Sequence, residues 1–181
     1  MRNVTLTVGG TPIGEAKTWA YPRGATLGKF LIPVYNLTVV GTDSGARPVT
    51  KTFPVFRFGV QSKDGTTAGI VGLADHQMHV IKAWLPNYIV HSARSPENGA
   101  WQVYGNFLIH DGPDNDTELF ATIGCVEIMG PQGFLRFNDF LISLMDPPGN
   151  TRDEKLDAIG RSGQLTVMYE RATRPTLKKA A

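Results

Sequence analysis

Short apolar runs broken by glycine and proline constrain the fold of this chain most. The 181 residues include 20 glycines and 12 prolines, about a sixth of the chain, where roughly 12% is usual. Breaks this frequent predict many turns and short elements rather than long helices. Strand-like runs, either alternating or rich in β-branched and aromatic residues, cover 3–8, 28–40, 52–60, 77–84, 100–110 and 164–169.

Two segments near the C-terminus have helical patterns instead. Residues 131–145 place phenylalanine and leucine at helical spacing, and prolines follow the segment. Residues 151–160 begin with Thr151 and carry Glu154 three residues later, which is the pattern of a capping box. The sequence therefore predicts a mainly β, α+β fold with one or two helices, organised as a single domain over residues 1–181.

The composition excludes several classes of protein. Hydrophobic residues make up 41% and charged residues 19%, which is ordinary for a globular chain. The net charge of +2 is too small for a nucleic-acid binder. No apolar run is long enough to span a membrane, and the alternating N-terminus lacks the apolar centre of a signal peptide. We therefore expect a chain made in the cytoplasm without a signal peptide, with no nucleic-acid partner and no membrane span.

One cysteine and one histidine mark the candidate site. A single cysteine excludes an intramolecular disulfide, so Cys125 is either a small buried apolar residue or a functional thiol. His110 ends an apolar run, and an aspartate-rich loop then leads to Thr122-Ile123-Gly124-Cys125. A neighbouring imidazole raises the thiolate fraction of a cysteine, and a glycine beside it permits a strained turn whose amides face a developing oxyanion. The acidic loop favours an accessible Cys125 over a fully buried one.

The segment from His110 to Cys125 resembles the active-site signature of the L,D-transpeptidase family, whose domains are also called YkuD-like. That signature is a histidine, a loop and then Ser/Thr-His-Gly-Cys, which Thr122, Gly124 and Cys125 match. Upstream, residues 26–30 (Thr-Leu-Gly-Lys-Phe) are similar to the family's Thr-Pro-x-Gly-x-Phe strand. The resemblance implies a β-sandwich with helices packed on it.

The match departs from the family pattern at three positions, and its interval from His110 to Cys125 is slightly short. Ile123 stands where the family usually has histidine, Glu127 stands where many members have arginine or asparagine, and Leu27 replaces the upstream proline. The chain is therefore identified as a divergent member, in which the substrate has shifted while the Cys–His chemistry is kept. For Glu127, pairing with Arg136 is the structural alternative to a role in substrate choice.

The resemblance implies a cysteine acyl transferase or peptidase acting on peptidoglycan stem peptides. Cys125 is then the nucleophile and His110 the general base, with the amides of Gly124 and Cys125 holding the oxyanion. No metal or organic cofactor is expected. The expected substrate contacts are Thr122, Glu127 and Asp111.

Peptidoglycan lies outside the cytosol, so a chain without a signal peptide needs another route to it. One expectation is an antibacterial effector that a contact-dependent machine, such as type VI secretion, delivers into the periplasm of a rival cell. The alternative is a phage or tail-associated lysis factor. The partners of an effector would be an immunity protein or a component of the secretion machine. The competing hypothesis is a non-enzymatic β-sandwich module for binding or structure, in which Cys125 belongs to the core.

Other motifs are weaker. The acidic residues at 111, 114, 116 and 118 lack the spacing of a calcium loop. His76 and His79 lack further ligands for zinc, and His91-Ser92 lacks the Gly-x-Ser-x-Gly turn of a serine hydrolase. We therefore predict strand, surface or loop roles for these residues.

Overall fold

A computed structural model describes residues 1–22, 27–90, 97–115, 120–121 and 123–181. The fold is mainly β with two helices, which confirms the predicted class. In chain order the strands are β1 Val4–Val8, β2 Gly14–Trp19, β3 Lys29–Thr42, β4 Pro48–Phe56, β5 Phe58–Lys63, β6 Thr67–Gly72, β7 Gln77–Val80, β8 Ala83–Leu85, β9 Ala100–Tyr104, β10 Phe107–Asp111, β11 Phe120–Ala121, β12 Val126–Ile128, β13 Leu165–Tyr169 and β14 Lys178–Lys179. The helices are α1 Gly133–Met145 and α2 Arg152–Ser162.

The predicted strands are present, but three of them are divided. The run 52–60 breaks at Arg57, and the run 77–84 bends between β7 and β8. The run 100–110 is a hairpin, with Gly105 in its turn at φ +52°. Apolar patterning marks which residues are buried, but it does not mark where the backbone turns within a continuous run. Strands β2 and β6 were not predicted, because their residues are small or polar and show little alternation.

One long sheet curls around the core. Its strands run in the order β7-β13-β1-β3-β4-β12-β10-β9-β8. The two end strands, β7 and β8, are consecutive in the chain and only Ile81 and Lys82 separate them. The amide of Ile81 donates to the carbonyl of Leu165 on one side, and the amide of Lys82 donates to that of Gln102 on the other. This bend joins the two ends of the sheet, so the sheet has an inner and an outer face.

The inner face packs against the two helices and forms the main hydrophobic core. Helix α1 buries Phe134, Phe137 and Leu141, which confirms its predicted apolar face. Helix α2 has the predicted capping box, in which Thr151 accepts from the amide of Glu154 and the carboxylate of Glu154 accepts from the amide of Thr151.

A second apolar cluster lies on the outer face. It forms where β2 and the first half of β3 meet the ends of β4 and β5, and its large members include Phe30, Ile32 and Phe56. A separate two-stranded sheet, β5-β6, lies beside it. The cluster includes Phe56 at the end of β4 and Met129 directly after β12, and both side chains are buried.

Candidate active site

Parallel pairing of β10 with β12 sets the candidate site. His110 on β10 lies directly opposite Glu127 on β12, and residues opposite each other share a face of the sheet. Glu127 lies in turn opposite Phe56 of β4, which belongs to the outer apolar cluster. Cys125 immediately precedes β12 and packs with Leu108, two residues before His110 on the same face. The fold therefore places His110 and Glu127 side by side on the outer face, with Cys125 two residues before Glu127 on an adjoining segment.

The imidazole of His110 is held by the backbone next to it. Its Nδ1 lies 2.7 Å from the carbonyl oxygen of Asp111. A carbonyl can only accept, so Nδ1 carries the hydrogen and neutral His110 has its lone pair on Nε2. Nε2 lies 3.9 Å from Oε1 of Glu127, and both residues are buried. His110 is therefore oriented as a base whose protonated form would be stabilised by the adjacent carboxylate.

Cys125 is buried, so the expectation of an accessible thiol is wrong. Its relative exposure is 5%, and the half-buried side chains of Leu85 and Tyr88 pack against the cluster that it forms with Ala100 and Leu108. The thiol donates a hydrogen bond to the carbonyl of Asn106, with Sγ 3.8 Å from the oxygen. Burial is the main reason that the pKa of the thiol rises to about 12, and the negative charge of Glu127 adds to it. In this arrangement Cys125 is protonated at neutral pH.

Tyr88 belongs to the site although no sequence motif pointed to it. Its ring centroid lies 5.5 Å from that of His110, and its side chain packs against the cluster that contains Cys125. Burial raises its pKa to about 12, and the nearby acidic groups of Cys125, Glu127 and Tyr21 add to the rise. The phenol therefore keeps its proton at neutral pH. Tyr88 lies in a loop, where side-chain position is not encoded by periodicity.

Gly124 adopts a backbone conformation that favours glycine. Its φ is +95°, and a methyl group placed on it would lie 2.7 Å from the Cα of Gly72. Any other residue would clash with the backbone of β6 as well as strain the turn. The close approach of two backbones therefore explains the glycine before Cys125. The assignment of these amides to an oxyanion hole stays a prediction.

The other predicted site residues fall in different places. Asp111 is buried and contributes its carbonyl oxygen to His110. Oε1 of Glu127 lies 3.9 Å from Nε2 of His110. Ile123 is 39% exposed beside the buried Cys125. Thr122, Thr26, Asp116, Glu118 and the pair His91-Ser92 lie outside the described residues.

The described residues contain no group of three or more histidine, cysteine, aspartate or glutamate side chains arranged to hold a metal ion. His79 instead makes a 3.0 Å contact with Gln77 and stacks on Tyr104. Within that described part of the chain, no helix is long and apolar enough to cross a membrane.

Comparison with known proteins adds no relative to this picture. No protein-family model matches the chain, and neither a curated protein nor a solved structure matches it. The L,D-transpeptidase resemblance therefore rests on the residue pattern between His110 and Cys125 and on the shorter upstream segment.

Proposed function

We propose that this protein is a cysteine acyl transferase or peptidase of the L,D-transpeptidase type, acting on peptidoglycan stem peptides. The observation that carries the proposal is the placement of Cys125, His110 and Glu127 on one face of adjoining chain segments. A nucleophile, a base and a group that orients the base are the components of covalent acyl transfer. Here the carbonyl of Asp111 is the orienting group.

Acylation begins with a protonated thiol, because burial keeps the pKa of Cys125 high. Nε2 of His110 takes the thiol proton while Sγ forms a bond to the substrate carbonyl carbon, whose oxygen gains the electron pair. When the intermediate collapses, the carbon–nitrogen bond breaks and His110 returns the proton to the leaving amine. The bond broken joins an L-centre to a D-amino acid, and the product is a thioester on Cys125.

The thioester then passes to an acceptor. Attack by an amine gives a cross-link or an exchanged D-amino acid, and attack by water gives carboxypeptidase or endopeptidase activity. Glu127 places a carboxylate near the reacting groups, so an amine or a cationic stem is favoured over a substrate carboxylate. This preference follows from the replacement of the family's arginine or asparagine by Glu127.

Substrate must displace the cover of the thiol before reaction. Leu85 and Tyr88 pack against the cluster of Ala100, Leu108 and Cys125, so the peptide takes their place and continues to exclude water. Only a ligand that can displace Leu85 and Tyr88 and fill the space they occupy would reach the thiol. The buried thiol is thus protected from unrelated electrophiles when no substrate is bound.

The proposed setting is the periplasm of a rival bacterium. The chain acts there as an antibacterial effector delivered by a contact-dependent machine of the type VI kind, and the producing cell protects itself with an immunity protein. This part of the proposal rests on the proposed peptidoglycan chemistry, because peptidoglycan lies outside the cytosol.

A non-enzymatic binding or structural module is the second candidate function. The observation that favours it is the burial of Cys125 at 5% exposure among Ala100 and Leu108, which suits a small core residue. Under this alternative the cluster of His110 and Glu127 is a buried polar contact with no chemical role.

Digestion of purified sacculi separates the two candidates. Wild-type protein is incubated with sacculi, and the soluble muropeptides are identified by mass spectrometry. We expect altered stem peptides with wild type and none with Cys125→Ala or Cys125→Ser, while circular dichroism shows that both variants keep the fold. Unchanged muropeptides with wild type, or full turnover by Cys125→Ala, would reject the enzymatic proposal.

A further inference from the structure

Behind the candidate nucleophile, the backbone of the turn at Gly124 lies against the backbone of β6 at Gly72. A methyl group on Gly124 would lie 2.7 Å from the Cα and 2.8 Å from the amide nitrogen of Gly72. Gly72 has a φ of +143°, and a methyl group on it would lie 2.5 Å from the carbonyl oxygen of Arg57. The turn that carries Cys125 therefore contacts the end of β6 directly, and that end pairs with Phe58 at the start of β5, next to Arg57.

Arg57 holds the chain just after β6 in place from the side of the core. Its side chain is fully buried, and its guanidinium lies over the rings of Tyr35, Phe58 and Tyr169. It donates to the carbonyl of Leu73, immediately after β6, with a separation of 2.6 Å. It also donates to the carbonyls that follow β1 and β13. The chain just beyond Gly72 is therefore tied to the main core.

Arg174 holds the end of β6 in place from the solvent side. This exposed residue of the C-terminal segment donates from Nη2 to the carbonyl of Gly72 at 3.0 Å and from Nη1 to that of Ile70 at 3.3 Å. Its guanidinium lies over the ring of Phe58. The planar guanidinium presents its donors in a rigid fork that suits two carbonyls two residues apart on β6, whereas lysine offers a point charge on a flexible stem.

We propose that Gly72 and Arg174 are positioning residues for the Cys125 nucleophile, acting through the backbone contact between Gly72 and Gly124. The inference rests on the proposed function and adds to it a device outside the Cys–His pair. Arg174 holds the end of β6 in place, Gly72 admits the close approach, and the turn at Gly124 then fixes the direction of the thiol. A displacement of Gly72 would therefore move the turn at Gly124, and with it the thiol of Cys125, relative to Nε2 of His110.

The test compares Arg174→Gln and Arg174→Lys with Arg171→Gln, an exposed arginine three residues earlier in the same segment. Turnover of purified muropeptides gives kcat and KM, iodoacetamide gives the alkylation rate of Cys125, and thermal unfolding gives Tm. We expect Arg174→Gln to lower kcat about tenfold or more, since small misplacements of reacting groups have effects of this size. KM and Tm stay near those of Arg171→Gln, alkylation becomes several-fold faster because the thiol is less well covered, and Arg174→Lys restores part of kcat.

Glycine variants in β6 give a second, matched comparison. Gly72→Ala introduces the methyl group that would clash with Arg57, whereas Gly69→Ala meets only the flexible side chain of Lys63 at 3.5 Å. We expect Gly72→Ala to lose activity more than Gly69→Ala. If Gly72→Ala does not fold, the Arg174 series alone decides.

The outcomes separate this inference from the proposed function. If Arg174→Gln matches Arg171→Gln in kcat and in alkylation rate, the positioning role is overturned. A loss of kcat that follows an equal loss in Tm and is not rescued by lysine also overturns it. If wild type turns over no muropeptide but Arg174→Gln still speeds alkylation of Cys125, the contact with the thiol is supported and the proposed function is rejected.

Discussion

The outer face of the main sheet has two regions that differ in cover and in chemistry. Where β7, β13, β1, β3 and β4 run side by side, the face carries no charged residue in its two central rows and is exposed or half-buried. The rows, read across the strands in register, are Val80, Thr166, Thr5, Val40 and Thr50, and Met78, Met168, Thr7, Thr38 and Thr52. Further along the same face, at β12 and β10, the residues are buried and ionisable: Glu127 and His110.

The difference teaches which region requires a functional explanation. Threonine and valine have high strand propensity, and the threonine hydroxyls on an open sheet face can form hydrogen bonds with water. These residues therefore need no functional explanation. Burying a carboxylate and an imidazole costs free energy that a purely structural sheet avoids by using apolar residues. Ionisable groups held together in a covered position are therefore candidates for chemistry, and the open region of the same sheet shows that the fold does not need them.

The largest expected effect comes from removing the base in the covered region. His110→Ala should reduce muropeptide turnover by about 10²–10⁴-fold, the usual contribution of a positioned general base. His79→Ala is the matched control, because His79 lies on β7 and contacts Gln77 and Tyr104 instead. Muropeptide chromatography measures the turnover of both variants. An equal loss of turnover in His110→Ala and His79→Ala would show that the covered region has no special role in the reaction.

The second effect concerns the protonation of Cys125. Burial raises its pKa from 9.0 to about 12, so the thiolate should be about 10³-fold scarcer at neutral pH in the folded protein than in the unfolded chain. Alkylation by iodoacetamide should therefore be slow at pH 7 and should continue to rise with pH above 9. A parallel measurement in denaturant should level off near the ordinary cysteine pKa. A plateau below pH 8 in the folded protein would contradict the covered site.

The raised pKa of Cys125 also determines how the stability of the fold changes with pH. A thiol whose pKa is higher in the folded state stabilises the fold fully below the unfolded pKa near 9 and loses that contribution as pH rises towards 12. Cys125→Ala should remove this part of the alkaline loss of stability. Urea unfolding of both proteins at pH 8 and pH 10.5 measures it, and an identical pH dependence in the two proteins would contradict it.

The third effect tests the cover itself. Tyr88→Ala should raise the alkylation rate of Cys125 about tenfold at fixed pH, because local cover limits access of the reagent. Tyr88→Phe keeps the ring against His110 and should react at nearly the wild-type rate. Intact-mass measurements over time give both rates. A similar increase in the two variants would assign the effect to the hydroxyl rather than to the cover.

The sequence predicted the helices and most strands, because those features depend on local periodicity. The pairing of His110 with Cys125 came from the family resemblance and stays a prediction. The sequence did not predict that β7 and β8 form the two ends of the sheet and join them. Both strands come from one continuous apolar run, and the run itself does not mark the bend between them. The sequence also missed Tyr88, Gly72 and Arg174, whose roles come from contacts between distant segments. The burial of Cys125 was missed for the same reason, since the acidic loop before it says nothing about Leu85 and Tyr88, which pack against its cluster.

The smallest effect is expected on the open region. Val40 is 42% exposed on β3, whereas Leu108 is 8% exposed beside Cys125 on β10. Val40→Ala should change the free energy of unfolding by no more than about 0.5 kcal/mol, as for most surface substitutions. Leu108→Ala should cost about 2–5 kcal/mol, because it leaves a cavity under the cover of the thiol. Urea unfolding with a shared m-value gives both numbers. A cost at Val40 as large as that at Leu108 would mean that the open face is covered in solution, and the contrast between the two regions would then no longer single out His110 and Glu127.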